Sequence, residues 1–535
     1  MGTSLLKQAK LLWRDVRAIR RGMPANQYEI SNVKAVSDRI RKYMGAGGLG
    51  GPEMLGHYDG ANTGRLYNDW TTANDTQYNN LADAREKLIA RSNKLCDNNP
   101  HAVGVLNTLV SNVIGEGLRP TPRVKTLDGR SVEGVNKALA EGWKRYNDEW
   151  DASGQQTFLE AQAMIYTQLF TDGAVLSNTV ESMPGSYLGR STQILTSLRL
   201  DSSRDKDNPE LSSNPEVART AFGINLNRNG RPLSYWVQGV DAPVSAKLMK
   251  VHFRRVRAEQ ILAPPWLVAA LKYLWSNEKL IEDELIASRL QAMIGLFIPN
   301  TMMDHVLDKQ LNTDSQVEFE PGKVWHGPDG SEPKVIQASD QITKILEPMQ
   351  RLLLHAVTMT QGLSYQTVTR DVGEISMASG RINTNGDRRT YRVLQKWFAK
   401  NVCQWEYDKF VERMFFEGKM QGVAPIAAYV NNPWHYQQVQ WRAPGFDFID
   451  PSREAKAMVE LYDKKMMTLE QYYGERGEDW RPATEQWLEE KAFIQEKSKE
   501  LGIEEPIPSP VGGNNGGNGQ GSGNDDDDKP DARGN

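Results

Sequence analysis

Along residues 266–416 the apolar side chains recur every three or four positions in three long runs, which makes this part of the chain helical and leaves the rest to pack around it. The first run spans 266–298 and opens after Pro264 and Pro265, which remove no intrahelical donor before or in a first turn. Leu267, Leu271, Leu274, Ile281, Leu285, Met293 and Phe297 form its apolar face, while Lys272, Lys279, Glu282, Asp283 and Arg289 mark the wetter ones. At roughly 1.5 Å per residue such a helix is about 48 Å long, well beyond the usual globular helix. The second run (Ile342, Ile345, Leu346, Met349, Leu352, Leu353, Val357) contains Pro348, so a kink or restart near Glu347 is expected. After Gly362 a polar segment runs to about Met377, and a third helix carries Tyr391, Leu394, Phe398, Val402, Trp405 and Met414 on one face. Asn385-Gly386-Asp387 falls at its beginning, where a kink or a cap is expected. Helices this long, held apart by inserts, suit a part that spans something.

A chain of 535 residues, 39% of them hydrophobic, can bury a sizeable core in two or more domains. Cys96 and Cys403 lie far apart without a metal-ligand spacing, which argues against a disulfide scaffold or a structural zinc and points to a reducing compartment. No stretch approaches about 18 uninterrupted apolar residues, so no membrane span is expected. The net charge of -4 is unevenly spread. Residues 1–45 carry ten basic against three acidic side chains. That basic arm suits DNA phosphate, an acidic partner or a neighbouring subunit, and equally a solvated amphipathic helix lying on its own protein. It lacks the apolar core and cleavage site of a signal peptide. Residues 504–535 are rich in Gly, Asn and Pro with seven acidic and two basic side chains, a composition that predicts disorder. Asp525-Asp526-Asp527-Asp528-Lys529 within this tail resembles a protease recognition site and is given no function.

Chemical motifs are sparse. Gly45-Ala46-Gly47-Gly48-Leu49-Gly50 matches the dinucleotide fingerprint formally, but a basic helix-like segment precedes it and Pro52 follows, so it reads as a flexible joint. The phosphate-binding loop of nucleotide-driven motors does not occur in the sequence, and neither does a zinc-protease histidine pair or a serine-hydrolase elbow. Abundant Asp and Glu leave one catalytic alternative open, a DNA-processing or carbohydrate-active hydrolase whose carboxylates converge in space. Helical patterns over 80–117, broken at Asn98-Asn99-Pro100, and over 133–150 and 157–172 bring Trp143, Tyr146, Trp150, Phe158, Ile165 and Phe170 to a core or a subunit contact. Residues 174–262 change to short alternating runs with a hairpin turn at Asn227-Arg228-Asn229-Gly230, and 439–441 suits one more strand. Helices over 451–464, 469–476 and 483–501 complete an α+β pattern.

Five stretches carry a family resemblance: 107–117 (NTLVSNVIGEG), 227–240 (NRNGRPLSYWVQGV), 362–378 (GLSYQTVTRDVGEISMA), 441–457 (WRAPGFDFIDPSREAKA) and 468–479 (TLEQYYGERGED). In this order they resemble the portal proteins of lambda-type tailed phages and prophages, over most of residues 80–503. The resemblance implies a ring, usually of about twelve subunits, at one capsid vertex, through which double-stranded DNA is packaged and ejected. It implies no catalytic residue, no metal and no cofactor.

The same resemblance divides the chain. After the basic arm and Gly-rich joint (1–79) come a wing (80–265), a first stem helix (266–298), a clip (299–338), a second stem helix (339–361) and a tunnel loop (362–377). A wing helix and strand (378–445), crown helices (446–503) and the acidic tail (504–535) follow. The clip is expected to dock terminase and later the head-completion and tail connector proteins through Glu320, Lys323, Trp325 and Asp329. Gln366, Thr367, Thr369, Arg370, Asp371 and Glu374 are the expected channel-facing side chains, a mixed set that suits weak passage better than tight phosphate neutralisation. Arg388, Arg389 and Arg392 are expected to order that loop or to bind a neighbour's carboxylates. Other partners are the copies of the ring and the major capsid protein or scaffold; no membrane is involved. The expected location is the virion vertex, with assembly in the host cytoplasm.

Overall fold

The computed structural model describes residues 77–126, 129–181, 185–205, 216–292, 297–299, 325–327, 340–373 and 375–502. The basic arm, the glycine-rich joint, most of 299–338 and the acidic tail lie outside these residues, as do the expectations placed on them.

Helices α1 (Gln77–Asn98) and α2 (Pro100–Val113) meet at Asn99, whose side chain accepts from the His101 and Ala102 amides at 3.1 and 3.2 Å. Strand β1 (Arg119–Pro122) follows, then α3 (Glu133–Asp148) and α4 (Phe158–Asp172), which opens on a Thr157/Glu160 capping box. The β-rich module is two antiparallel sheets. In one, β2 (Ala174–Glu181) lies between β3 (Arg190–Thr196) and β8 (Met249–Phe253). The other runs β4 (Arg219–Ala221), β5 (Ile224–Leu226), β6 (Pro232–Tyr235) and β7 (Val244–Ser245), with the Asn227 side chain closing the β5–β6 hairpin on the Asn229 and Arg231 amides.

The first long helix is shorter than its pattern. A 3-10 turn (Trp266–Ala269) leads into α5 (Leu271–Ala292), and Phe297, expected on the helical face, lies instead in β9 (Phe297–Pro299), paired in parallel with β10 (Trp325–Gly327). An aromatic and a β-branched residue before a proline favour strand over helix. Conversely α6 (Asp340–Gln361) runs as one helix with Pro348 inside it, so of the expected kink or restart the restart does not occur; one missing donor is outweighed by the turns on either side.

After the short α7 (Tyr365–Thr369), α8 (Met377–Phe398) passes through Asn385-Gly386-Asp387 without interruption and enters a π-helical turn (Ala399–Cys403) that continues as α9 (Gln404–Phe416). In that turn the Gln404 amide bonds back five residues to the Ala399 carbonyl, and the inserted residue rotates the apolar stripe. Tyr391, Leu394, Phe398, Val402 and Met414 are buried as the spacing predicts, but from the end of the turn Cys403, Tyr407 and Phe410 face inward while Trp405 is half-buried. Short helices α10 (Ile426–Asn431) and α11 (Pro433–Tyr436) precede β11 (Val439–Arg442), which pairs antiparallel with β1. Pro120 and Pro122 hide β1 from a sequence pattern. Three helices end the described chain: α12 (Pro451–Asp463), α13 (Leu469–Glu475) and α14 (Trp480–Leu501).

The main core gathers apolar residues of α2, α3, α4, α8 and α9, and a smaller one fills the β-rich module. The expected aromatics Trp143, Tyr146, Trp150, Phe158 and Phe170 are all buried there.

Candidate functional site

The polar segment after α6 is bent into place by its own backbone. Gly362 takes φ +69°, a left-handed conformation that lets its amide reach the Met359 carbonyl and the Leu363 amide the Thr358 carbonyl, closing the helix end. One turn of α7 follows, and Arg370, at φ +58°, ends it with its amide on the Gln366 carbonyl. Arg370 is a non-glycine residue in the left-handed region, which is uncommon and reverses the chain sharply. Ser376 then caps α8 by accepting from the Ser379 amide at 3.2 Å.

What holds the segment is Asp387, 4% exposed on α8. Its carboxylate accepts from the Ser364 amide at 2.8 Å, from the Ser364 hydroxyl at 2.6 Å and from the Thr367 hydroxyl. Around this anchor the Asn383 amide donates to Gln366 at 3.2 Å, the His355 ring stacks on Tyr365 with centroids 4.5 Å apart, and Arg351 pairs with Asp371 at 3.2 Å. Of the side chains expected to face a channel, Thr367 is thus committed to Asp387 and the Thr369 hydroxyl to its own helix. Gln366 is half-buried, Arg370 and Asp371 are exposed, and Glu374 lies outside the described residues.

The basic cluster is divided as well. Arg388 donates to the Asp447 carbonyl and stands over the Phe446 ring, 5.5 Å from its centroid. Arg392 lies 5.7 Å from the same centroid and 4.0 Å from Glu475. Both therefore fasten α8 to the C-terminal part of the same chain. Arg389 instead lines an open cavity of about 910 Å³ with Arg254, Arg257 and Trp266. Glu320, Lys323 and Asp329 lie outside the described residues, and Trp325 is placed only as the first residue of β10.

Sequence reasoning passed over Asp387 as part of a helix break, yet its signal is visible: residues 387, 391, 394 and 398 follow one helical stripe, and a carboxylate in an apolar stripe must find donors. Glu406 is the parallel case in α9, fully buried and accepting from Trp150 Nε1 at 3.0 Å and the Thr192 hydroxyl at 2.9 Å. Arg351 carried no local signal, because its partner is 20 residues away.

The family model for lambda-family phage portal proteins matches residues 63–395, more than half of the chain, and the chain belongs to that family. A probable portal protein of Halomonas phage phiHAP-1 is 22% identical over 508 residues, 90% of this chain and 94% of the relative. Among solved structures, the neck of a native gene transfer agent particle computed with C12 symmetry is similar at 11% identity and a TM-score of 0.36, over 76% of this chain and 96% of that one. An HK97 family phage portal protein from Corynebacterium diphtheriae is similar at 11% identity and a TM-score of 0.29, over 67% and 94% of the two chains. Membership rests on the sequence match. Portal proteins are structural and not enzymatic, which sets the hydrolase alternative aside. No helix among the described residues is long and apolar enough to cross a membrane.

Proposed function

We propose that about twelve copies of this chain close into a ring at one capsid vertex and that double-stranded DNA passes through its centre, inward at packaging and outward at infection. The supporting observation is a pair of apolar stripes that the other described residues leave uncovered. On α5, Trp275, Leu285 and Ile286 are 58%, 53% and 54% exposed, and on α6 Met349, Leu352 and Met359 are 46%, 64% and 74% exposed. Large apolar groups repeated along two neighbouring long helices favour burial against another surface. A contact between α5 of one copy and α6 of the next covers both stripes, and a contact of that heterologous kind, repeated by rotation, closes a ring.

In this reading α5 and α6 are the stem, 362–377 is the tunnel loop and α12–α14 form the crown. The clip at 299–338 receives terminase, which supplies the packaging energy, and later the head-completion and tail connector proteins. The major capsid protein or scaffold holds the rim, in the virion and earlier in the host cytoplasm. Exposed Arg370 beside Asp371 gives each copy a locally balanced charge, so DNA meets bands of weak contact that do not depend on its sequence.

Light scattering on the purified protein, followed by imaging, tests the assembly. A ring has a mass of roughly 720 kDa, twelve times the 60.2 kDa chain, with a central channel. Ile286→Glu with Leu352→Glu is expected to leave a folded chain that no longer assembles; rings formed by this variant as readily as by the parent count against the stripe contact. Deleting 364–374 is expected to leave rings but impair DNA packaging or retention, and heads filled normally by that variant count against the tunnel-loop placement.

A further inference from the structure

The segment 364–373 is fastened in two unlike ways. Its first half is tied to α8 by the buried Asp387, whose charge is met by three donors from Ser364 and Thr367, and Val368 rests beside Gly104 of α2 against the main core. Its second half starts at the left-handed Arg370 and is held by the Arg351–Asp371 ion pair, whose side chains are 35% and 42% exposed. A cavity of about 360 Å³ borders both halves, with Gln366 and Thr367 of the first and Arg370 and Val372 of the second in its lining, and Val372 itself is 68% exposed.

We infer that these residues make a fixed root and a releasable tip. Asp387 keeps 364–369 in place, and the Arg351–Asp371 pair is a clasp that a phosphate of passing DNA opens by competing for Arg351, which lets 370–373 swing about Arg370. The inference rests on the channel placement proposed above. A half-exposed ion pair contributes little and weakens with salt. Phosphate oxygens match the guanidinium fork at least as well as a carboxylate does. A buried carboxylate satisfied by uncharged donors has no such competitor in solution. Asp387 is accordingly a positioning residue, and the clasp makes the segment yield to a duplex without gripping it.

Hydrogen exchange on the assembled full-length ring reads the two halves separately. Raising NaCl from about 0.05 to about 0.5 M, which shortens the screening length, is expected to speed exchange of the 370–373 amides about two- to fivefold and to leave that of 365–369 unchanged. A short DNA duplex at low salt is expected to do the same. Asp371→Asn should show the fast tip from the start and respond to neither addition, while Asp387→Asn should speed 365–369. Loosening of both halves together in salt, or of neither, overturns the two-part device. A tip that responds to salt but not to DNA overturns the phosphate trigger, while the deletion of 364–374 tests the channel placement on its own. The salt and DNA readings come from the unaltered protein, so they stand even where a variant fails to assemble.

Discussion

Trp143 lies with ring centroids 5.5 Å from Phe158, 5.5 Å from Tyr407 and 5.1 Å from Phe410, whereas no residue of α12, α13 or α14 is buried. The C-terminal helices are attached by charge instead: Arg381 to Asp450 at 3.0 Å, Arg442 to Asp479 at 2.8 Å and Arg123 to Glu470 at 2.9 Å. One close backbone approach adds to these, since a Cβ at Gly445 would stand 2.5 Å from Arg476 Cα. The difference teaches that one chain contains a part held by burial, indifferent to salt, and a part held by directional contacts that salt and single substitutions loosen. Outward apolar groups on the second part, among them Trp487 at 55% and Phe493 at 60% exposed, leave it suited to further packing in an assembly.

The largest effect should come from the core. Trp143→Ala is expected to cost about 3–5 kcal/mol in denaturant unfolding, by lost burial and the cavity left behind. A cost below about 1 kcal/mol would break the comparison at its stronger side.

Next in size is a pH dependence that arises from groups buried in the core. Burial pushes the Glu406 carboxyl up to about 7 and the Asp408 carboxyl up to about 6, and it presses His252 down to about 3. Folded Glu406 keeps a proton that the unfolded chain releases above 4.5, so its contribution falls as pH rises from 4.5 to about 7. His252 acts oppositely: the unfolded chain takes up a proton below 6.5 that the folded one refuses, so stability is lost as pH drops from 6.5 toward 3. Glu406→Gln should therefore remove a fall of up to about 1.4 kcal/mol per pH unit as pH rises from 4.5 to about 7 in melts followed against pH. An unchanged slope would place the titrating charge elsewhere.

The attached helices should answer to smaller changes. Arg442→Ala removes the partner of Asp479 and a donor to the Glu478 carbonyl. A loss of about 1–3 kcal/mol is expected in the docking of 469–501, read as faster hydrogen exchange there with the core melt unmoved. If the core melts earlier by the same amount, the two parts are one cooperative unit and the contrast is lost. The smallest expected effect is that of salt on the unaltered chain: about 0.5 M NaCl should lower protection in 451–501 by less than about 1 kcal/mol and leave 133–172 unchanged.

Much of the fold was legible because its signals are local. The break at Asn98-Asn99-Pro100, the hairpin at 227–230 and the three helical runs each depend on residues within a few positions of one another. The misreadings arose where a distant partner decided. The π-helical turn rotated the stripe from Trp405 to Tyr407, Phe297 joined a strand whose mate is Trp325, and the prolines of β1 were tolerated because β11 supplies its ladder. At the candidate site the segment itself was evident as a polar interruption, but not which of its side chains turn inward.

Sequence alone determined the long helices, their apolar stripes and the mixed charge of the segment between them, because periodicity, caps and composition are properties of neighbours along the chain. Tertiary structure alone decided that Asp387 reaches back 23 residues to Ser364 and that Glu406 receives Trp150 from 256 residues away. A buried carboxylate takes whichever donors the packed helices bring within hydrogen-bonding distance, and that choice exists only once the whole core has closed around it.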